Sequence, residues 1–187
     1  MSNDLAALDD GALVVLAAAR RDDAFREIMR RHREPLYRLI RGHIGDEDAA
    51  LDLVQESFAS AWRHLARFDP ALPLRPWLAR IAINRSRDWH RRRRIRRLFG
   101  FGDAEAAETV PDDAPSPETV AAGRIELERV WAAIAQLPER LRETLLLRAI
   151  EGLSQAETAR TLSISEKAVE TRLYRARAHL SALLGEG

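Results

Sequence analysis

The stretch from Gly100 to about Gly123, GFGDAEAAETVPDDAPSPETVAAG, constrains this chain most, because it divides it. Proline, acids and small residues with few large apolar groups cannot repay the entropy of ordering, so the stretch reads as a linker. On both sides of it the periodicity is helical, with no strand pattern and no internal repeat. In DDAFREIMRRHREPLYRLIRGHI the apolar residues Phe25, Ile28, Met29, Leu36, Leu39 and Ile40 recur at helical spacing, with Pro35 as a kink or joint. DEDAALDLVQESFASAWRHL opens with acids that suit a helix N-terminus and carries the stripe Leu51, Val54, Phe58, Ala61, Trp62 and Leu65. Three prolines in RFDPALPLRP break the pattern. A new helix starts near Pro76 and carries Trp77, Leu78, Ile81, Ala82 and Trp89 into a block of arginines. Beyond the linker, short helices are expected over Ile125 to Gln136, Pro138 to Glu151, Ser154 to Leu162 and Glu166 to Leu183. The expected fold is all-α, two small helical domains joined by a flexible acidic linker.

Composition removes several chemistries. The 187 residues include no cysteine, which excludes disulfides, thiolate catalysis and Cys-based zinc sites. The longest apolar run, ALVVLAAA from Ala12 to Ala19, is too short to span a bilayer. It follows Asp9 and Asp10 rather than a basic region, so a signal peptide is not expected either, and a cytoplasmic protein is. The histidines (His32, His43, His64, His90, His179) are scattered, and no nucleophile lies beside a base at recognisable spacing. Asp46 to Asp48 lack a His partner at ligand spacing and read as helix-dipole acids. Neither catalysis, metal nor cofactor is expected.

The net charge of +1 is a cancellation between segments. Charge between Asp103 and Glu118 is purely acidic, whereas RIAINRSRDWHRRRRIRR, Arg80 to Arg97, sets only Asp88 against its arginines. A solvated helix interleaves the two signs; a block of one sign points to a partner of the other.

The segment LSQAETARTLSISEKAVETRLYRARAHL is the most specific local signal. Ser154 and Glu157 form an S-x-x-E capping box, Ala159 is small where two helices would cross, Leu162 and Ile164 flank a turn at Ser163, and Ser165 can cap the next helix. In that helix Val169, Leu173, Ala176 and Leu180 share one face. The other shows Lys167, Glu170, Thr171, Tyr174 and Arg175, with Arg172 and Arg177 at the margins. An apolar back and a basic, hydrogen-bonding front suit a helix lying in a major groove. Arg175 and Arg177 are expected at the phosphate backbone, and Lys167, Glu170, Thr171 and Arg172 at base edges.

DLVQESFASAW (Asp52 to Trp62) and WLARIAINRSRDWHRRRR (Trp77 to Arg94) resemble the helices of bacterial extracytoplasmic-function (ECF) sigma factors. LPERLRETLLLRAIEGLSQAETA through VETRLYRARAHL is similar to their C-terminal domain. The resemblance implies region 2 over residues 10–97, a linker over 98–123 and region 4, with its helix-turn-helix, over 124–187. It implies a non-catalytic subunit that binds core RNA polymerase, at the β′ clamp and β flap, and gives it promoter specificity. Region 4 would read the −35 element, and region 2 would read and melt the −10 element. Asp48, Asp52, Gln55 and Glu56 would face the polymerase clamp, each having a solvated carboxylate or amide as its plainer reading.

Between Trp62 and Trp77 lies a segment similar to the loop that captures a flipped −10 base. Arg80, Asn84, Asp88 and Arg91 repeat every three or four residues and so share a polar helix face, with Asn84 at the family's reading position. Arg85, Arg87, Arg91, Arg92, Arg93, Arg94, Arg96 and Arg97 would lie against phosphates. Trp77, in register with Ile81, is expected in the core rather than as a stacking platform; for Trp89 both readings stand. The chain departs from the family pattern at Leu74 (commonly aromatic), Pro70 and Pro73 in the capture loop, Thr158 (commonly aliphatic) and Ser163 (commonly glycine). Family habit adds promoter DNA and an anti-sigma factor as partners, with no membrane contact of the chain's own. The alternative is a stand-alone helix-turn-helix regulator, which would leave the first domain without a task.

Overall fold

In the computed structural model residues 5–99 and 118–185 are described, with the backbone alone for 118–124. Most of the expected linker, residues 100–117, therefore lies outside the described residues. Helices α1 (Asp10–Ala18), α2 (Asp22–Ile44), α3 (Glu47–His64) and α4 (Leu74–Leu98) build the first half; α5 (Glu118–Gln136), α6 (Glu139–Ala149), α7 (Gln155–Leu162) and α8 (Glu166–Leu184) build the second. No strand occurs among the described residues, and no described helix is long and apolar enough to cross a membrane.

The boundaries follow local chemistry. Asp9 accepts from the Ala12 amide to start α1, and Asp46 from the Ala49 amide to start α3. α2 ends at Gly45, whose φ of +71° is the left-handed conformation that costs a residue without Cβ least. Pro35 lies inside one uninterrupted helix and is not a joint. Leu36, Leu39 and Ile40, all fully buried just beyond it, tie the second half of α2 to the core, so packing offsets the hydrogen bond that proline cannot make. α4 begins at Leu74 with Pro76 in its first turn, and α5 already begins at Glu118, ahead of the expected Ile125.

In the first half α1, α3 and α4 pack around α2. The buried stripe of α3 is Ala50, Leu53, Val54, Ser57, Phe58 and Ala61. Leu51, expected within it, is 41% exposed: the i, i+3, i+4 series passes through Leu53 and leaves Leu51 on the margin of the outer face. Met29 likewise stands at the edge of its stripe, 36% exposed. Phe25 packs edge-on to Phe58 and at 4.7 Å between ring centroids from Trp62. Buried Ser57 and Ser86 donate to carbonyls one turn back, Leu53 at 2.6 Å and Ala82 at 3.0 Å, so neither hydroxyl is left unpaired.

In the second half α6, α7 and α8 pack mutually, with α5 against α8. The halves also pack on each other, α2 against α5 and α6, and α4 against α7. Ile134, Leu146, Leu147, Leu153 and Leu162 join the buried residues of the first half in one continuous apolar cluster.

Candidate nucleic-acid interface

α4 is amphipathic in a simple way. Leu74, Leu78, Ala79, Ala82, Ile83 and Ser86 bury one side. Arg80, Asn84, Arg87, Arg91, Arg92 and Arg94 are exposed, and Arg85, Asp88 and Arg93 half-buried. Asp88 is paired with Arg91 at 3.0 Å, and Arg92 approaches Glu56 of α3 at 4.0 Å. The guanidinium of Arg93 lies 5.0 Å from the centroid of Trp89, a cation–π contact that leaves Trp89 packed against the core. Trp77 is also packed against the core, its ring 4.7 Å from Phe68. In the loop before α4, Asp69 accepts from the Ala71 amide while Leu72 is 57% exposed. Leu74, the departure from an aromatic residue, is buried.

The outer face of α3 carries Asp48, Asp52, Gln55 and Glu56, all exposed at one- and two-turn spacing. In the second half the capping box forms as spelled: Ser154 Oγ accepts from the Glu157 amide and Glu157 accepts from the Ser154 amide. Ser163 turns the chain at φ 56°, ψ 49°, doing the work of the more usual glycine, and Ser165 accepts from the Ala168 amide to start α8. Val169 and Ala176 are fully buried, with Leu173 and Leu180 half-buried on the same side. Lys167, Glu170, Thr171, Tyr174, Arg175 and Arg177 are exposed, and Arg172 half-buried. Lys167 is paired with Glu170 at 2.8 Å, and the Thr171 hydroxyl donates to the Lys167 carbonyl.

The two basic faces are not independent. A cleft of about 840 Å³ is lined by Asn84, Arg87, Asp88 and Arg91 of α4 on one side and by Glu139, Arg140, Glu143 and Arg172 on the other. At its floor Glu143, only 1% exposed, receives two hydrogen bonds from Arg87, at 2.5 and 2.7 Å, and lies 3.3 Å from His43 Nε2. Burial alone would raise the Glu143 carboxyl, but the His43 and Arg87 hydrogen bonds outweigh it and hold the group at about 2. The same carboxylate raises Arg87. A second tie joins Arg75 of α4 to the fully buried Glu151 at 2.9 Å. Arg142 donates from α6 to the carbonyls of His43, Ala135 and Leu137.

His43, Glu139 and Glu143 bring three ligand-type atoms within 4.8 Å of one another. We read them as part of the ion-pair network, because Arg87 and His43 already take the oxygens of Glu143 and Arg142 adds positive charge.

Sequence reasoning missed Glu143, His43, Arg75 and Glu151. A signal existed for two of them. Glu143 falls in the spacing of Leu146 and Leu147, and His43 in that of Leu36, Leu39 and Ile40, so each is an ionisable group on an apolar stripe. Such groups are rarely fully buried unless paired.

Two family profiles match the chain: sigma-70 region 2 over residues 28–96 and sigma-70 region 4 over residues 127–180. Over 179 residues the chain is 44% identical to the RNA polymerase sigma factor CnrH of Cupriavidus metallidurans, covering 94% of each. It is 32% identical over 177 residues to the ECF RNA polymerase sigma factor SigM of Mycobacterium tuberculosis, covering 94% of this chain and 85% of that one. The solved structure of CnrH in complex with the cytosolic domain of CnrY superposes with a TM-score of 0.72 at 36% identity, over 94% of this chain and 97% of that one. The chain belongs to the extracytoplasmic-function sigma factors of RNA polymerase. It directs promoter-specific initiation, and the stand-alone regulator is not favoured.

Proposed function

We propose that residues 10–97, 98–123 and 124–187 act as region 2, linker and region 4, and that the exposed faces of α3, α4 and α8 divide the work of initiation. On α4, Arg80, Asn84, Asp88 and Arg91 read the −10 element, while Arg85, Arg87, Arg92, Arg93 and Arg94 neutralise phosphates of the melted region. On α8, Lys167, Glu170, Thr171 and Arg172 read −35 base edges, with Arg175 and Arg177 on the backbone. Asp48, Asp52, Gln55 and Glu56 dock α3 on the β′ clamp, and region 4 meets the β flap. The observation that carries this reading is the division of α4. Its buried side is apolar, while its outer side shows Asn84 and a row of arginines with few acids to neutralise them.

Duplex melting needs new partners for unstacked bases, and a polar helix edge beside a basic track supplies both hydrogen bonds and charge. The protein does this in the cytoplasm, without catalysis of its own. An anti-sigma factor is its inhibitory partner, as the CnrH structure, which holds the cytosolic domain of CnrY, supports by analogy.

The test is a promoter-library assay with and without sigma-free core polymerase. Transcription and specific binding only in the presence of core are expected, and aligned products give the −35 and −10 sequences. Tight specific duplex binding by the protein alone, with no effect on core, would overturn the reading.

A further inference from the structure

Glycine is a poor helix former, yet α1 carries one in its first turn, Gly11. The reason lies outside the helix. A Cβ on Gly11 would stand 2.9 Å from the backbone carbonyl oxygen of Pro70, too close to fit unless one of the two backbones moved. Only a residue without Cβ lets α1 close on that carbonyl. α1 also packs on the short 3₁₀ turn Leu65–Arg67 that leads into the same loop. The loop, residues 68–73, directly precedes α4. Its ends are fixed by the core, since the Phe68 ring lies 4.7 Å from that of Trp77 and Leu74 is buried. Its crest is held from within: Asp69 accepts from the Ala71 amide through Oδ1 at 2.9 Å and from the Leu72 amide through its carbonyl at 3.0 Å. Pro70 and Pro73 restrict the backbone further. The large apolar side chain that the loop offers to solvent is Leu72, 57% exposed. From Leu74 to Arg80 α4 rises only about 9 Å, at about 1.5 Å per residue. The loop therefore adjoins the N-terminal end of the −10 face.

α1 is a firm backstop for the loop because α2 holds it. Arg31 donates to the carbonyls of Leu5, Ala6 and Leu8 and to Asp10 Oδ1, and His32 Nε2 lies 2.9 Å from Asp10 Oδ2. This tie ends at Asp10, the residue before Gly11. We propose that Gly11 is a positioning residue for the reading of −10: the close approach of α1 to the Pro70 carbonyl fixes residues 68–73, and with them Leu72, as a preformed apolar surface for a base leaving the duplex at the N-terminal end of the α4 face. An unstacked base needs a new partner, and a surface already in place costs no ordering when the base arrives. The inference rests on the reading of α4 given above and on the likeness of this loop to the one that captures a flipped base.

The test uses full-length protein assembled with core polymerase, on a promoter recovered from the library assay and carrying a fluorescent adenine analogue at successive −10 positions. The readouts are the rate of base unstacking, core affinity and discrimination at −35. Gly11→Ala moves the loop by a fraction of an ångström and is expected to slow unstacking about tenfold, with core affinity and −35 discrimination as in wild type. Arg31→Met keeps bulk while freeing α1 from α2, without touching the loop, and is expected to slow unstacking too. Leu72→Ala removes the surface itself and should slow unstacking likewise. Because Gly11 acts through Leu72, Gly11→Ala in the Leu72→Ala background is expected to add nothing further. Wild-type unstacking in both Gly11→Ala and Arg31→Met, with Leu72→Ala slow, would overturn the inference and leave the loop reading standing. Losses that simply add in the double variant, or that extend equally to −35 discrimination, would overturn it as well. Wild-type unstacking in Leu72→Ala would instead overturn the loop reading beneath it, and the inference with it.

Discussion

Glu143 is the residue on which most of the electrostatics turns. Removing one partner of a buried ion pair strands the other, so Arg87→Ala is expected to destabilise the protein by about 3 kcal/mol, the lower end for buried pairs. The lower end applies because Arg87 itself remains 43% exposed. Glu143→Leu in the same background removes the stranded carboxylate, and should recover much of the loss in a double-mutant cycle read by thermal unfolding. The pH dependence has a definite sign. Glu143 is held at about 2, below its ordinary 4.5. Its contribution is therefore complete above about pH 4.5 and lost as pH falls toward 2.

His90 adds a dependence nearer neutrality. Burial lowers it from 6.5; the His43 carbonyl it bonds opposes this, and the His43 ring and Arg142 reinforce it, with Glu139 opposing. A lowered value means the folded state binds fewer protons, so this contribution is complete above about pH 6.5 and falls away on acidification. Denaturant midpoints at pH 7.5 and 5.5 should differ in wild type, and the difference should shrink in His90→Gln.

At the scale of the element, the helix-turn-helix was legible almost residue by residue. Ser154 and Glu157 stand within one turn of each other and need no tertiary context to cap a helix, and the same holds for Ser165. Ser154→Ala should accordingly cost about 1 kcal/mol, read by thermal unfolding. The face of α4 was legible for the same reason: the period of Arg80, Asn84, Asp88 and Arg91 is a property of the helix alone. Where neighbours decide, the reading fell short. Leu51 fits the period of α3 almost as well as Leu53, and only the packing of α2 and α4 against that helix selects Leu53. Pro35 reads as a kink or joint in isolation, yet the core on either side carries α2 through it as one helix.

For the whole molecule, the sequence was silent on how the halves meet. His43 to Glu143 and Arg75 to Glu151 join residues far apart in the chain, and no local period encodes such a pairing. Charge distribution, by contrast, predicts behaviour without that knowledge. Of the phosphate-facing arginines, Arg92 and Arg94 should each contribute about 0.7 to the salt slope of single-strand binding. Replacing one by alanine should lower that slope by about that amount while leaving sequence preference unchanged, as a salt titration of −10 oligonucleotide binding would record.

Reading of two promoter elements by two separate helix faces is the centre of the account. It is tested most directly by core-dependent transcription from promoters carrying single substitutions in either element, comparing Asn84→Ala and Arg172→Ala proteins with wild type. Loss of discrimination worth about 1–3 kcal/mol is expected at −10 positions alone for Asn84→Ala and at −35 positions alone for Arg172→Ala. Equal loss at both elements in each variant, or discrimination untouched in both, would contradict it.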